Sequence, residues 1–445
     1  MESNNTPYYP SIFNDVIGPV MRGPSSSHCA GALRIGRLAR DLMGGELDEV
    51  LVVFDTNGSL ATTHESQGSD MGFAGGLLGW DATDERLPGS CDAIREAGIR
   101  IEIEISEYEA THPNTYRITI RNSTEQHRLM AVSVGGGMIE VTEIDGVPVS
   151  MAGDYYETLI YLNAGGSDLL AYLKDNLEAD EIRLLNGAGT QFIQIKTQCT
   201  LEENLLSELR TRDGVDQVRT LSPVLPVLSR RGLSVPFTTC EEMLQYNEGQ
   251  DLDLWELAVR YESARGDMPP EQVFEEMIKI VGIMHRSILA GIEGTEYADR
   301  ILGYQSGSYL ARMEERRLLD GGILNRMILY VTAMMEMKSS MGVIVAAPTA
   351  GSCGGLPGAC IGAADAMGLS MDDMTRAMLA AGMVGVFIAA HATFAAEVGG
   401  CQAECGAGSG MAAAALVTLA GGSTRQAVSA ASMALQNILG MICDP

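Results

Sequence analysis

A change in residue pattern near position 240 constrains the fold more than any other feature. Before it, short β-branched segments alternate with helical segments; after it, Ala, Met, Leu and Gly dominate and helices are interrupted by Gly-Gly or Pro. We therefore predict an α+β N-terminal domain over 1–165, a small unit over 180–225 and a linker over 226–240. An all-α helical domain is expected over 241–445.

The first half carries clear strand patterns. Glu49–Asp55 is short and β-branched, as a buried strand should be. Ile99–Ser106 and Thr115–Arg121 alternate with period two, and we expect them to pair as antiparallel neighbours. In the small unit, a strand at Gln191–Thr197, a helix and a strand at Val215–Leu221 resemble a reduced ACT-type module, a regulatory fold that often binds amino acids.

Charge and hydropathy exclude several classes of protein. The net charge is −28, from 58 acidic and 30 basic residues, and no basic run is present, so a nucleic-acid partner is not expected. The apolar stretch Met374–His391 contains Arg376 and favours a buried core helix over a membrane span. The polar N-terminus has no signal core, so we expect a cytoplasmic protein. Many apolar helices suggest a homodimer.

Lysine and cysteine usage points to the kind of cofactor. Only four lysines occur, which disfavours pyridoxal phosphate because that cofactor needs a Schiff-base lysine. Nine cysteines are present, and five crowd the last hundred or so positions: Cys353, Cys360, Cys401, Cys405 and Cys443. In a cytosolic chain such cysteines more often serve metal or redox chemistry than disulfides.

Three polar motifs are candidate binding sites. The run Gly23–His28 places three hydroxyls at a helix start, which predicts a pocket for an amino-acid carboxylate. A second loop follows the Glu49–Asp55 strand, and a third, over Ala346–Gly355, is a glycine-rich turn between helices that can cradle an anion. The proposed substrate-binding residues are Ser25, Ser26, Ser27, Asn57, Ser59, Thr349, Gly351 and Ser352.

Taken together, these motifs resemble the iron–sulfur-dependent L-serine dehydratases. GPSSSH, NGSLATT, HPNT and SVGGG are similar to the family's β domain, and APTAGSCG, EVGGCQAE and CDP are similar to its α domain, in the same order. The resemblance implies a β domain like the allosteric substrate-binding domain of some phosphoglycerate dehydrogenases, followed by a helical α domain. It also implies a lyase of amino-acid catabolism, linked to gluconeogenesis.

The resemblance further implies a [4Fe–4S] cluster bound by three cysteines. Cys401 and Cys443 match two of them; the third family position lies beyond Pro445, so we expect this chain to lack it, with Cys405 or Cys353 as possible substitutes. The implied reaction removes water from L-serine to give 2-aminoacrylate, which hydrolyses to pyruvate and ammonia. An open iron would act as a Lewis acid on the hydroxyl.

Two positions depart from the family pattern. The family's proposed basic histidine is Gln67 here, and an amide cannot accept a proton near neutral pH. His64 and His28 are therefore the candidate bases, whereas His127 follows a polar turn and is expected at the surface. Lys338 replaces a family asparagine and can alter substrate choice. Alternatives are a desulfidase, a dehydratase for another β-substituted amino acid, or a non-catalytic amino-acid sensor.

Overall fold

The computed structural model describes residues 8–297, 302–438 and 440, which form two compact units. The sheet unit comprises Ser27–Gly232, and the helical unit comprises the described parts of Met1–Ser26 and Leu233–Pro445. The N-terminal segment therefore belongs with the helices, although the sequence placed it in the first α+β domain. Long-range pairing, which local patterns do not encode, decides this assignment.

The larger sheet of the sheet unit has the strand order β3-β2-β4-β5-β6-β7, with elements numbered along the chain. Its strands are β2 (Glu49–Asp55), β3 (Arg100–Ser106), β4 (Thr115–Arg121), β5 (Gln126–Gly135), β6 (Met138–Ile144) and β7 (Val147–Met151). Strands β2 and β3 are parallel, and every other neighbouring pair is antiparallel. The prediction that β3 and β4 pair with each other is thus wrong, because β2 lies between the two strands and hydrogen-bonds to both.

Four helices accompany this sheet: α1 (Gly31–Leu42), α2 (Leu60–Thr63), α3 (Ser69–Leu77) and α4 (Ser90–Glu96). Helices α1 and α3 approach closely because glycines face each other across the contact. A Cβ on Gly76 would lie 2.2 Å from the Leu33 carbonyl oxygen and 3.0 Å from Gly36 Cα. The absent side chains therefore allow backbone-to-backbone packing, which holds the β2–α3 loops against the sheet.

A second sheet has the order β11-β8-β10-β9, with all neighbours antiparallel. The chain order is strand, helix, strand, strand, helix, strand: β8 (Tyr156–Leu162), α5 (Gly166–Asn176), β9 (Glu181–Gly187), β10 (Thr190–Thr197), α6 (Glu203–Arg210) and β11 (Val215–Leu221). The small unit is thus larger than the expected 180–225. Its first strand is an inner strand of this sheet and is buried from Glu157 to Tyr161, including the polar Glu157 and Thr158.

The helical unit contains ten α-helices in its described part. They are α7 (Cys240–Tyr246), α8 (Leu254–Gly266), α9 (Pro270–Glu293), α10 (Ser306–Glu314), α11 (Ile323–Ser339), α12 (Gly355–Met367), α13 (Met371–His391), α14 (Ala396–Cys401), α15 (Ala407–Leu419) and α16 (Thr424–Asn437). Helices α7, α8, α13 and α16 begin with capping boxes, whose N-cap residues are Thr239, Asp253, Ser370 and Ser423.

This unit is not wholly helical. Strand β1 (Val20–Arg22) pairs antiparallel with β12 (Val343–Val345), which leads into the glycine-rich turn. By length and composition α13 could cross a membrane, but 67% of its most apolar window is buried inside the protein, as in a core helix of a globular protein. The short ladder, continued by the hydrogen bond from the Gly18 N–H to the Ala346 carbonyl, positions the turn that follows β12.

Candidate functional site

The turn between β12 and α12 gathers hydroxyl groups in the helical unit. The Thr349 hydroxyl lies 3.3 Å from Ser352 Oγ, and the Ser352 backbone N–H donates to Thr349 Oγ1 at 3.4 Å. The Ala350 backbone N–H donates to Ser26 Oγ, also at 3.4 Å. All three hydroxyl-bearing residues are buried. Two of the three sequence motifs therefore meet at one place within this unit.

A carboxylate completes this group. The Thr349 hydroxyl donates to Glu404 Oε1 at 2.8 Å. Gly351 allows the approach, because a Cβ at this position would lie 2.6 Å from Glu404 Oε2. Glu404 was not among the residues singled out from sequence. The sequence feature that could have indicated Glu404 is its position in the Cys-Gln-Ala-Glu-Cys segment, next to a cysteine considered as a metal ligand.

Lys338 adds a positive charge beside the turn. It lies in the last turn of α11 and is partly buried, and its charge opposes the rise that burial causes in the pKa of the Cys353 and Cys405 thiols. Within the described part of the chain its ammonium forms no ion pair or hydrogen bond. The turn therefore gathers hydroxyls and a carboxylate near the Lys338 ammonium, which forms no ion pair among the described residues.

Of the two cysteines expected to bind metal, Cys401 lies within the described residues. Cys401 ends α14 and is partly buried, and the π-helical turn Gln402–Gly406 that follows carries Glu404. Cys443 lies outside the described residues. Burial raises the pKa of Cys353 to about 12, and burial followed by the Glu404 charge raises that of Cys405, so neither readily supplies a thiolate by itself.

The donor set can be tested for its fit to a cluster. Across residues 8–297, 302–438 and 440, no three His, Cys, Asp or Glu side chains converge as a metal ion requires. Cys401 is disulfide-bonded in this structure, and its reduced thiolate would suit an iron–sulfur cluster. Glu404, three residues further along the chain, reaches the hydroxyl turn. The described residues alone do not form the ligand set, so no chemical step below depends on the cluster.

In the sheet unit, His64 is oriented by a carboxylate. Its Nδ1 lies 2.8 Å from Asp70 Oδ1 and 3.0 Å from Oδ2. Because a carboxylate only accepts, Nδ1 carries the proton and the neutral imidazole leaves Nε2 as a basic lone pair. Burial raises the pKa of Asp70, while the contact with His64 offsets part of that rise. The pair has the arrangement of a general base held by an orienting carboxylate.

His28 is oriented by a hydroxyl, whereas His64 is oriented by a carboxylate. Its Nε2 lies 2.9 Å from Thr63 Oγ1, and that hydroxyl donates its single proton to the Ser59 carbonyl at 2.7 Å. Thr63 can then only accept, so Nε2 of His28 is the donor. The neighbouring Ser27 carbonyl accepts from Ser133 Oγ at 2.6 Å. His28 and Ser27 are thus tied into the sheet unit, whereas Ser26 and the partly buried Ser25 belong to the helical unit.

The loop after β2 is held by one buried carboxylate. Asp55 accepts from the backbone N–H groups of Ala110, at 2.7 Å, and Asn57, at 2.8 Å. These backbone hydrogen bonds hold the pKa of Asp55 below its usual range. Ser59 donates its backbone N–H to the Pro113 carbonyl at 2.9 Å. The backbone of both proposed ligands, Asn57 and Ser59, is therefore fixed by the loop.

The prediction that His127 lies at the surface is wrong. Its side chain is buried, its Nδ1 lies 2.7 Å from Asp145 Oδ2, and the Tyr161 hydroxyl donates to the same oxygen at 2.8 Å. The residue follows a polar turn, but the small sheet covers it through Tyr161 on β8. A contact between two sheets distant in sequence is not visible in the local pattern.

Comparison with known proteins places these features in context. Residues 249–445 match the family model described as serine dehydratase alpha chain. The probable L-serine dehydratase beta chain of Bacillus subtilis is 36% identical over 48% of this chain and 99% of its own length. The probable alpha chain of the same organism is 30% identical over 47% of this chain and 70% of its own length.

A longer match joins both regions. L-serine dehydratase 1 of Escherichia coli is 26% identical over 95% of this chain and 82% of its own length. This chain is therefore similar to separate beta and alpha chains and, over nearly its full length, to a single longer chain.

Proposed function

This chain belongs to the L-serine dehydratase family, and we propose that it removes water from L-serine to give 2-aminoacrylate, which is hydrolysed to pyruvate and ammonia. The observation that supports this most is the match of one chain to both beta-chain and alpha-chain relatives, at 36% and 30% identity. The chain thus carries counterparts of both components of the dehydratase. In the proposed reaction the α-proton and the β-hydroxide leave as water, and a second water molecule releases ammonia.

Substrate binding is assigned to the cluster of hydroxyl-bearing residues around the turn between β12 and α12 in the helical unit. We propose that the Lys338 ammonium pairs with the substrate carboxylate, since it has no partner among the described residues and its charge reaches Cys353 and Cys405. Ser26 and Thr349 supply short hydrogen-bonding groups beside it. Paired, charge-assisted contacts of this kind hold a substrate in one orientation, which favours reaction.

Elimination also requires a proton acceptor at the α-carbon. His64 is the first candidate because Asp70 fixes its protonated nitrogen and leaves Nε2 basic. Glu404 is a second candidate that sequence reasoning did not include. The hydrogen bond from Thr349 favours its carboxylate form, which is the form able to accept a proton.

We also propose that Cys401 and Cys443 bind a [4Fe–4S] cluster. When bound, such a cluster with an open iron supplies Lewis acidity for the departing hydroxide. Anaerobic reconstitution tests this proposal through iron content and visible absorbance. Cys401→Ser should lose both signals, while Cys199→Ser, at an exposed thiol in the sheet unit, should keep them. Equal iron and absorbance in both variants would remove Cys401 from the ligand set.

The activity itself is tested by measuring pyruvate and ammonia from L-serine under anaerobic conditions after reconstitution. L-cysteine and D-serine are run in parallel, because sulfide release from cysteine would instead identify a desulfidase. Pyruvate and ammonia in equal amounts from L-serine are expected. Binding of L-serine without any product, in a chain with its cluster signals intact, would favour the sensor alternative.

Lys338→Met provides a sharper test of the binding role. The loss of a charge-assisted contact of about 1.5–3 kcal/mol should raise KM roughly tenfold to a hundredfold, with a smaller effect on kcat. Lys174→Met, in the last turn of α5 in the sheet unit, is the matched control. An unchanged KM in the Lys338 variant would show that the carboxylate binds elsewhere.

A further inference from the structure

A cavity of about 180 Å³ lies in the sheet unit, between strands β2, β3 and β4 and helices α3 and α4. Its walls are mainly apolar: Val52, Phe54, Phe73, Ile94, Ile101 and Ile103. An apolar cavity of roughly 150 Å³ is large enough to bind benzene, so this one can accept a molecule of slightly greater size. None of the motifs assigned to serine binding accounts for this space.

Two buried hydroxyl groups in the cavity wall lack partners. Ser69 Oγ and Tyr116 OH belong to residues that are 1% and 0% exposed, and neither hydroxyl forms a hydrogen bond. Burial raises the pKa of Tyr116, and Ser69 is near enough to offset part of that rise, although the two oxygens do not reach hydrogen-bond geometry. A buried hydroxyl without a hydrogen bond is costly, so each of these two neighbouring hydroxyls can be stabilised by a polar atom of a ligand.

The Tyr116 ring has little freedom to turn its hydroxyl elsewhere. Phe54 packs edge-on against it with ring centroids 5.3 Å apart, and Phe73 stacks at 6.4 Å. Both phenylalanines also line the cavity. The polar end of the tyrosine is therefore held in place by the same rings that form the apolar wall.

Opposite charges line the same cavity. Asp70 contributes a carboxylate whose side chain is 22% exposed, and Arg95 contributes a guanidinium that is 71% exposed and pairs with Asp92 at 3.1 Å. A carboxylate, a guanidinium, two hydroxyls and an apolar wall match the groups of one kind of small molecule. An ammonium suits Asp70 and the hydroxyls, a carboxylate suits Arg95, and an alkyl group suits the wall.

We propose that this cavity binds an α-amino acid with a short aliphatic side chain, such as valine, leucine or isoleucine. A polar side chain like that of serine would leave its hydroxyl against the isoleucines and bind less well. The ligand ammonium would share Asp70 with His64, so an effect on turnover is a consequence that rests on the proposed function. Binding itself does not, and it is measured without any reaction.

Isothermal titration calorimetry of the full chain with L-valine and L-isoleucine tests the proposal. Tyr116→Phe should weaken binding about fivefold to tenfold through one lost hydrogen bond. Ala74→Leu, which places a larger side chain in the cavity wall, should abolish it. Tyr172→Phe on helix α5, outside the cavity, is the matched control and should bind like the parent chain. Thermal unfolding of each variant establishes that it is folded.

Three results would overturn the proposal. The first is no heat of binding with L-valine, L-leucine or L-isoleucine at millimolar concentration. The second is unchanged affinity in Tyr116→Phe, which remains informative if Ala74→Leu does not fold. The third is equal affinity for uncharged isobutanol, which would identify the cavity as a packing void without selectivity for amino acids.

Discussion

At the scale of single residues, the hydrogen bond between His64 and Asp70 decides which nitrogen of the His64 ring can act as a base. Asp70 holds Nδ1 through both carboxylate oxygens, and Phe54 lies beside the ring with centroids 5.3 Å apart. The carboxylate decides which nitrogen carries the proton, as in catalytic triads. His28 donates through its other ring nitrogen, Nε2, to the Thr63 hydroxyl. The two candidate bases thus differ in the ring nitrogen that donates and in the partner that orients them, which is a carboxylate for His64 and a hydroxyl for His28.

We predict that His64→Ala lowers kcat for L-serine by about 10²- to 10⁴-fold, since general base catalysis contributes that range. Asp70→Asn should also lower kcat strongly, because an amide can donate to Nδ1 and move the proton to Nε2. Gln67→Ala is the control in the same loop and should retain activity. Steady-state kinetics of the reconstituted protein measures all three. Turnover like that of the parent in His64→Ala would transfer the role to Glu404, and Glu404→Gln would then be inactive.

Glu157 gives a second prediction at this scale. Burial raises its pKa to about 7, although Lys196 partly opposes the rise, and the ordinary value is 4.5. Its Oε2 accepts from Gln194 at 2.9 Å, while Oε1 has no hydrogen bond and lies 3.6 Å from Lys196 Nζ in an ion pair. The folded state therefore holds a proton that the unfolded state has already lost between about pH 4.5 and 7. Stability contributed by this group should be present below pH 4.5 and decrease as pH rises through that window.

Glu157→Gln should remove this pH dependence, because glutamine keeps the hydrogen bond to Gln194 without a charge. Urea unfolding at pH 5 and pH 8 measures it as the difference between the two midpoints. Glu203→Gln, at an exposed position on α6, is the control and should behave like the parent chain. The same difference in Glu157→Gln as in the parent would place the pH dependence in another group.

At the scale of elements, helix packing depends on glycines at contacts. Gly36 and Gly76 bring α1 and α3 together, and in the helical unit Gly358 and Gly362 do the same for α12 against α11. A Cβ at Gly358 would lie 2.5 Å from the Val331 backbone nitrogen. These contacts explain why the helices are rich in small residues.

Gly76→Ala should destabilise the sheet unit by about 1–3 kcal/mol or more, since the added methyl group meets backbone atoms that cannot move alone. The midpoint of urea unfolding reports the change. Gly89→Ala is the matched control: no atom lies within 4 Å of the position that its added methyl group would take, and its backbone angle suits alanine. A Gly76 variant as stable as the Gly89 variant would mean that α1 and α3 can separate without cost.

At the scale of the whole molecule, the chain enters the helical unit twice. The N-terminal segment buries Ile12, Val16 and Met21, and Glu262 on α8 accepts from the Ile12 N–H at 2.7 Å and from the Ser11 hydroxyl. A Cβ on Gly385 of α13 would lie 2.1 Å from Val16 Cγ1. The helical unit is therefore built from two distant parts of the chain.

We predict that residues 27–232 fold when expressed alone, whereas residues 233–445 require residues 1–26. Without them, α13 and α8 expose the surface that covers Ile12 and Val16, and Glu262 loses its partners. Circular dichroism and limited proteolysis of the fragments, with and without co-expression of 1–26, measure the difference. A protease-resistant 233–445 fragment on its own would show that the segment is dispensable for folding.

Local sequence patterns predicted most of the element types and the polar motifs. Period-two alternation marked β3 and β4, and hydroxyl-rich turns marked Ser26 and Thr349. These features are local, because they depend on backbone periodicity and on side chains within a few residues.

Features that depend on contacts between distant residues emerged only in the folded chain. It placed β2 between β3 and β4, assigned the first residues to the helical unit, buried His127 under β8 and brought Glu404 to Thr349. Each result involves groups far apart in sequence, whose pairing is selected by burial and hydrogen bonding across the folded chain. Local periodicity carries no information about such partners, which is the physical reason that the sequence could indicate the site's residues but not their arrangement.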